Sequence, residues 1–128
     1  MMRFVILRHE MPADSARVSH WDLMLQDGPR LRTWAMAELP GEARPFTKLD
    51  ALPDHRLEYL DHEGPVSGGR GRVTCWDRGL LNWVVNETDR CIAHVHGKRI
   101  QAELRLTLDP GGQRWLLAAV PLEAADRG

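Results

Sequence analysis

His20, Trp21 and Asp22 form the sharpest chemical feature of the chain. From His20 to Gln26 the residues alternate, with His20, Asp22, Met24 and Gln26 on one side and Trp21, Leu23 and Leu25 on the other. On an extended strand, positions i and i+2 project together, so an imidazole and a carboxylate converge on one point. Trp21, Leu23 and Leu25 claim the core, and the polar side is expected to face a cavity or solvent, because unpaired polar groups are costly to bury. His9 lies just past the apolar run Phe4–Arg8 and adds a third donor. Two histidines and a carboxylate leave coordination positions open for water and substrate, the arrangement of a catalytic metal. The bland alternative is a hydrogen-bonded surface pair of His20 and Asp22. Spacing alone favours that alternative, since H-x-D is short and common.

Other candidates carry less. His94 and His96 alternate like the H-x-H of cupin barrels, but only Glu103 follows at a useful distance, so hairpin histidines are the expectation. His55 stands beside Asp54, Glu58 and Tyr59 in a punctuated segment read as loop, where a histidine can act as acid, base or phosphate donor. Ser67-Gly68-Gly69-Arg70-Gly71-Arg72 has the look of a phosphate loop, but it lacks the GK[ST] ending and no helix follows. It is expected to border the site as a tight, bulged start to a strand. Trp21, Trp34, Trp76, Trp83 and Trp115 are spread over separate segments and read as core. Ser15, Ser19 and Ser67 have no histidine-plus-acid setting for nucleophilic catalysis.

The elements that must position these groups read as short strands. Phe4–Arg8 opens the chain, and Glu10 to Ser19 is a loop. His20–Gln26 turns at Asp27-Gly28 and returns as Leu31–Met36. Pro40 to Pro53 reads as loop with one helical turn, and Gly64 to Gly71 is glycine-dense. Strands are then expected at Arg72–Trp76, Leu80–Asn86, Arg90–His96, Ile100–Leu108 and Trp115–Val120. This pattern predicts an all-β fold, a small antiparallel β-barrel with short helical turns and long loops.

Length and composition bound the function. A chain of 128 residues predicts one domain, residues 1–128, with a core large enough to need no staple. Net charge is −1, so no whole-chain field favours nucleic acid or membrane. Of 17 basic residues only Lys48 and Lys98 are lysines, and the arginine excess retains a capacity for bidentate phosphate contacts. Two cysteines, Cys75 and Cys91, without CxxC spacing, and no long apolar run predict a cytoplasmic protein with reduced thiols and no membrane partner.

Taken in order, Arg8-His9, His20-Trp21-Asp22, Arg32-Thr33-Trp34-Ala35, Pro53-Asp54-His55 with Leu57-Glu58-Tyr59, Glu63-Gly64, Gly68-Gly69-Arg70-Gly71 and Trp76-Asp77-Arg78-Gly79 form a series of blocks. The series resembles the 3′-phosphoesterase domain of bacterial ligase D and its small stand-alone relatives. The resemblance spans about residues 4–120 and leaves a C-terminal tail, 121–128. It implies a compact β-barrel that removes 3′-phosphates and trims 3′-terminal ribonucleotides with manganese.

Carried over by position, the resemblance implies metal ligands at His9, His20 and Asp22, a phosphate-site histidine at His55 and a supporting tyrosine at Tyr59. It implies manganese first and zinc second as the divalent ion, DNA or RNA 3′ ends as substrate, ligase or polymerase repair proteins as partners, and a monomer. Three departures stand out. Met24 replaces the arginine two residues after the metal-binding aspartate, Glu38 replaces a lysine, and the loop between the first two ligands is several residues longer. Arg8, Arg32, Lys48 and Arg70 are the candidate replacement cations for phosphate. Two readings compete with the enzyme: an inactive module that binds nucleic-acid ends, which Met24 and Glu38 favour, and a cupin-like two-histidine, one-carboxylate metalloenzyme.

Overall fold

Phe4, Val5, Ile6 and Leu7 are all fully buried, which demands cover on both faces of the strand that holds them. The computed structural model, which describes residues 1–41, 46–112 and 114–122, shows how this is met. Strand β1 (Met2–Glu10) lies between β2 (His20–Asp27) and β6 (Arg72–Asn86), antiparallel to both. The sheet continues from β2 through β3 (Arg30–Met36), β4 (Thr47–Arg56), β9 (Trp115–Pro121), β8 (Gln101–Leu108) and β7 (Arg90–Gly97) to β6. Pairing of β1 with β6 closes it into an eight-strand antiparallel barrel. A two-residue strand, β5 (Gly64–Pro65), pairs with the start of β6, and one 3-10 turn covers Leu57–Leu60. The expected all-β barrel is what forms. No helix among the described residues is long and apolar enough to cross a membrane.

Two apolar clusters share the same strands. Phe4, Ile6, Leu23, Leu25, Trp34, Leu104 and Leu117 belong to the cluster that fills the barrel. The alternate residues Val5, Leu7, Met24 and Leu31 point outward and are capped by Leu60 and Val73, with Tyr59 and Val66 packed alongside. The side of β2 that carries Met24 was expected to open toward a cavity or solvent. Met24 does line a cavity and His20 a recess, yet Asp22 and Met24 are only 3% and 1% exposed, and Met24 is packed in one cluster with Leu60 and Val73.

Three segments depart from the sequence expectation. Pro40–Pro53 was read as loop, yet Thr47–Arg56 is a strand, with Thr47 and Leu49 buried and Lys48 and Asp50 exposed. Pro53 is tolerated because β4 meets β9 only through Thr47–Leu49, and because the β3–β4 register shifts opposite Pro53. The helical turn expected there is absent among the described residues, and residues 42–45 lie outside them. Of the expected tail, Pro121 ends β9 and residues 123–128 lie outside the described residues.

The third departure is Asp77-Arg78-Gly79, which does not break the chain into two strands. β6 runs unbroken for 15 residues. Asp77 is 4% exposed, and its carboxylate accepts the backbone N–H groups of Arg78, Lys98, Arg99 and Ile100 at 2.8–3.0 Å. One side chain thus holds the β7–β8 turn against the middle of β6. A Cβ at Gly79 would lie 1.9 Å from the His96 carbonyl oxygen, so only glycine lets β7 approach here. The W-D-x-G block is a barrel clasp.

Candidate metal centre

Antiparallel pairing of β1 with β2 sets His9 directly opposite His20 and Leu7 opposite Asp22. All three functional side chains then share the outer face, and the two imidazole centroids are 4.8 Å apart. One nitrogen or oxygen from each of His9, His20 and Asp22 can be chosen so that all lie within 4.8 Å of one another. These residues form a possible metal site, and burial sharpens it. The side chains of His9, His20 and Asp22 are only 12%, 8% and 5% exposed.

Hydrogen-bond bookkeeping decides what this cluster wants. His20 Nδ1 lies 3.0 Å from the Val18 carbonyl oxygen, which can only accept, so this nitrogen carries the proton. Its Nε2 then presents a lone pair 3.0 Å from Asp22 Oδ1. That contact is off hydrogen-bond alignment, and both buried atoms lack a hydrogen-bond partner among the described residues. His9 Nε2 lies 2.6 Å from the Arg70 carbonyl oxygen, another pure acceptor, and so carries its proton as well. This leaves the His9 Nδ1 lone pair 3.2 Å from Asp22 Oδ2.

Two imidazole lone pairs and a carboxylate therefore face one another in a nearly dry site. Either protons or a cation must sit among them. The Asp22 carboxylate raises the His20 pKa above the ordinary histidine value; burial and the nearby Arg17 charge oppose the shift, while the Val18 carbonyl adds to it. A divalent ion satisfies all three donors at once. The carbonyls behind His9 and His20 would fix the ring orientations, as outer partners of metal-bound histidines commonly do.

Beside His9 opens a cavity of about 340 Å³, whose wall includes Met24, Pro53, His55, Tyr59 and Arg70. His55 was read as lying in a loop. It sits instead near the end of β4, opposite Leu31 on β3, with Nδ1 2.8 Å from the Pro53 carbonyl oxygen. That acceptor takes the Nδ1 proton, leaving Nε2 as the free atom of the ring. Tyr59, on the 3-10 turn, packs edge-on to His55 at 5.2 Å and to His62 at 5.7 Å. Val66 and Arg70, from the glycine-rich segment, line the same cavity. The Arg70 carbonyl reaches His9 because Gly71, at φ +85°, lets β6 begin against Glu10; a Cβ there would meet the Glu10 carbonyl oxygen at 2.0 Å. His20 borders a second recess of about 280 Å³, over Ala35, Met36 and Asp50.

The family comparison matches the DNA Ligase D 3′-phosphoesterase domain over residues 12–114. The chain belongs to this family. The match contains His20, Asp22, His55 and Tyr59 but begins after His9, which the strand pairing and the donor cluster join to the site. No curated protein matches the chain.

The four cations expected near phosphate are dispersed. Arg70 lines the cavity, with its guanidinium donating to the Ser67 carbonyl and hydroxyl. Arg8 points to the opposite face of β1 from His9 and stacks on Trp21 at 4.8 Å. Arg32 donates to Asn86, Glu87 and Cys91 and lies over the Trp34 ring. Lys48 is exposed on β4 in a recess with Glu38 and Phe46. His94 is paired with Glu103 across β7 and β8 at 3.0 Å, as a hairpin histidine. Two residues at the site were not read from the sequence. Arg17 lines both the cavity and the recess beside His20, and His62 stacks behind Tyr59. No periodicity marks either one, since both lie outside the strands.

Proposed function

We propose that this protein is a metal-dependent phosphoesterase that processes 3′ ends of nucleic acid. The observation that carries the reading is the convergence of His9, His20 and Asp22 donor atoms, with His20 Nε2 and Asp22 Oδ1 buried and unpartnered among the described residues, beside a cavity that His55 and Tyr59 also line. A divalent ion bound there, manganese or zinc, would supply Lewis-acid stabilisation of charge on the phosphoryl oxygens.

The chain's own residues do the rest. The cavity wall of His9, His55 and Tyr59 would receive a 3′-terminal phosphate of DNA or RNA. His55, with Nδ1 committed to Pro53, keeps Nε2 for the substrate. Water attacks phosphorus and forms the new P–O bond while the bond from phosphorus to O3′ breaks. His55, acting as the imidazolium with Nδ1–H on Pro53, gives its Nε2 proton to the departing O3′, and the proton lost by the attacking water restores it through solvent. The products are a 3′-hydroxyl and inorganic phosphate. Tyr59, edge-on to His55, positions the ring. The unpaired cysteines Cys75 and Cys91 accord with a cytoplasmic enzyme, and we expect a monomer that works alongside ligase or polymerase repair proteins.

The test is phosphate release from a 3′-phosphorylated primer–template with Mn²⁺, with Zn²⁺ and with chelator. Release that needs the metal and disappears in Asp22→Asn is expected. Metal binding without release from any DNA or RNA 3′-phosphate would overturn the enzyme. The end-binding module is then the better reading, and Met24 already leans that way, since it puts an uncharged, buried side chain in the cavity wall.

A further inference from the structure

A phosphoryl group brings two negative charges into a site that already holds the Asp22 carboxylate, and a guanidinium on the wall that receives it would offset the charge that one divalent ion leaves. Among the described residues, two arginines line the cavity, Arg17 and Arg70. Arg70 is committed, with Nε 2.8 Å from the Ser67 carbonyl oxygen and Nη2 3.3 Å from the Ser67 hydroxyl. The guanidinium of Arg17 makes no hydrogen bond or ion pair among the described residues.

Arg17 is nevertheless held in place through its backbone. Its N–H donates to the Ser15 hydroxyl at 3.1 Å, and the next residue, Val18, gives its carbonyl to His20. The Met11 N–H donates to the Ser19 hydroxyl at 2.9 Å and draws together the ends of the loop that carries Arg17. Arg17 also borders both the cavity beside His9 and the recess beside His20, and no other described residue lines both. It stands where the two openings onto the His9–His20–Asp22 cluster meet.

We infer that Arg17 is the phosphate clamp of this protein, its guanidinium fork binding the non-bridging oxygens of the phosphoryl group held against the metal centre. The inference rests on the phosphoesterase reading and adds a residue to it. The charge is supplied from the β1–β2 loop to a cavity whose wall Met24 leaves uncharged.

Calorimetry with inorganic phosphate on the full chain, with and without Mn²⁺, tests the clamp directly. Arg17→Ala should weaken phosphate binding about ten- to hundredfold, with Mn²⁺ affinity unchanged. Arg17→Lys should recover part of the loss, because the charge remains and the fork does not. Arg56→Ala, which removes an exposed arginine outside the cavity, should match wild type. Turnover of a 3′-phosphorylated oligonucleotide should fall in the same order. Unchanged phosphate affinity and turnover in Arg17→Ala would overturn the clamp and leave the enzyme reading intact. Phosphate binding that depends on Arg17, in a protein that releases no phosphate from any 3′ end, would keep the clamp and overturn the enzyme. A wild-type protein that binds no phosphate would overturn the clamp.

Discussion

Asp22→Asn separates a metal ligand from a structural carboxylate, because the two roles predict opposite thermal behaviour. An ion that binds only the folded chain at 100 times its Kd stabilises it by about 2.7 kcal/mol. Unfolding entropy of about 2.1 cal/mol/K per residue gives about 0.27 kcal/mol/K for 128 residues, so Mn²⁺ should raise the wild-type melting temperature by about 10 °C. Asn keeps the shape of Asp22 but presents one neutral oxygen and an N–H₂ group to the lone pairs of His9 and His20. The rise with Mn²⁺ should therefore vanish. Without metal, the substitution removes a charge that is 5% exposed and supplies a donor where three acceptors met. Its melting temperature should stay within about 4 °C of metal-free wild type, equivalent to about 1 kcal/mol. Scanning fluorimetry at one pH, with and without chelator, reads both numbers. A metal-free variant that melts far lower yet keeps the Mn²⁺ rise would refute the argument, since the carboxylate would then be holding the fold and not the ion.

His55→Ala should lower turnover of a 3′-phosphorylated oligonucleotide about 10²–10⁴-fold while the Mn²⁺ melting shift persists, because His55 lines the cavity without belonging to the ligand cluster. Asp77→Ala should cost about 3 kcal/mol or more in urea unfolding, since four backbone donors lose a charged acceptor, with phosphate release per folded molecule retained. Glu103 has its pKa lowered by His94 first and Arg105 second. Its contribution is therefore present above the ordinary glutamate pKa and lost as pH falls through the lowered value. The melting-temperature gap between wild type and Glu103→Gln should be full at neutral pH and close only below about pH 4.5.

The alternation of His20 through Gln26 was legible because one face of β2 fills the barrel, and period two survives wherever such a face exists. The same logic was available for Thr47–Asp50, but Pro53 obscured it, and no sequence rule reveals that β9 leaves β4 before that proline. Asp77-Arg78-Gly79 has the composition of a turn. Its true role depends on residues about twenty positions away, which only the closed barrel brings to it. His55 and Tyr59 could be placed together from the family resemblance, whereas their cavity with His9 is a product of tertiary packing. Arg17 was hidden for a further reason: a cation delivered by a loop follows no period, and its significance comes from the guanidinium bonds that Arg70 and Arg32 already make elsewhere.

The covering of the outer face by residues 57–73 gives the molecule a division of labour with an evolutionary side. The clustered donors His9, His20 and Asp22 stand on β1 and β2, whose opposite faces are locked into the barrel, while Tyr59, Val66 and Arg70 come from one contiguous stretch anchored at β4 and β6. Apart from its buried anchors Leu60 and Val73, that stretch should behave as a cassette. Mutation within it can reshape what the cavity admits while the barrel still folds, whereas drift in β1 or β2 disturbs folding and chemistry together. Local opening should follow the same partition, with the cassette exchanging its amide hydrogens well before the barrel strands. A lineage exploring new phosphoester substrates would be expected to vary here first and to leave the strands beneath nearly untouched.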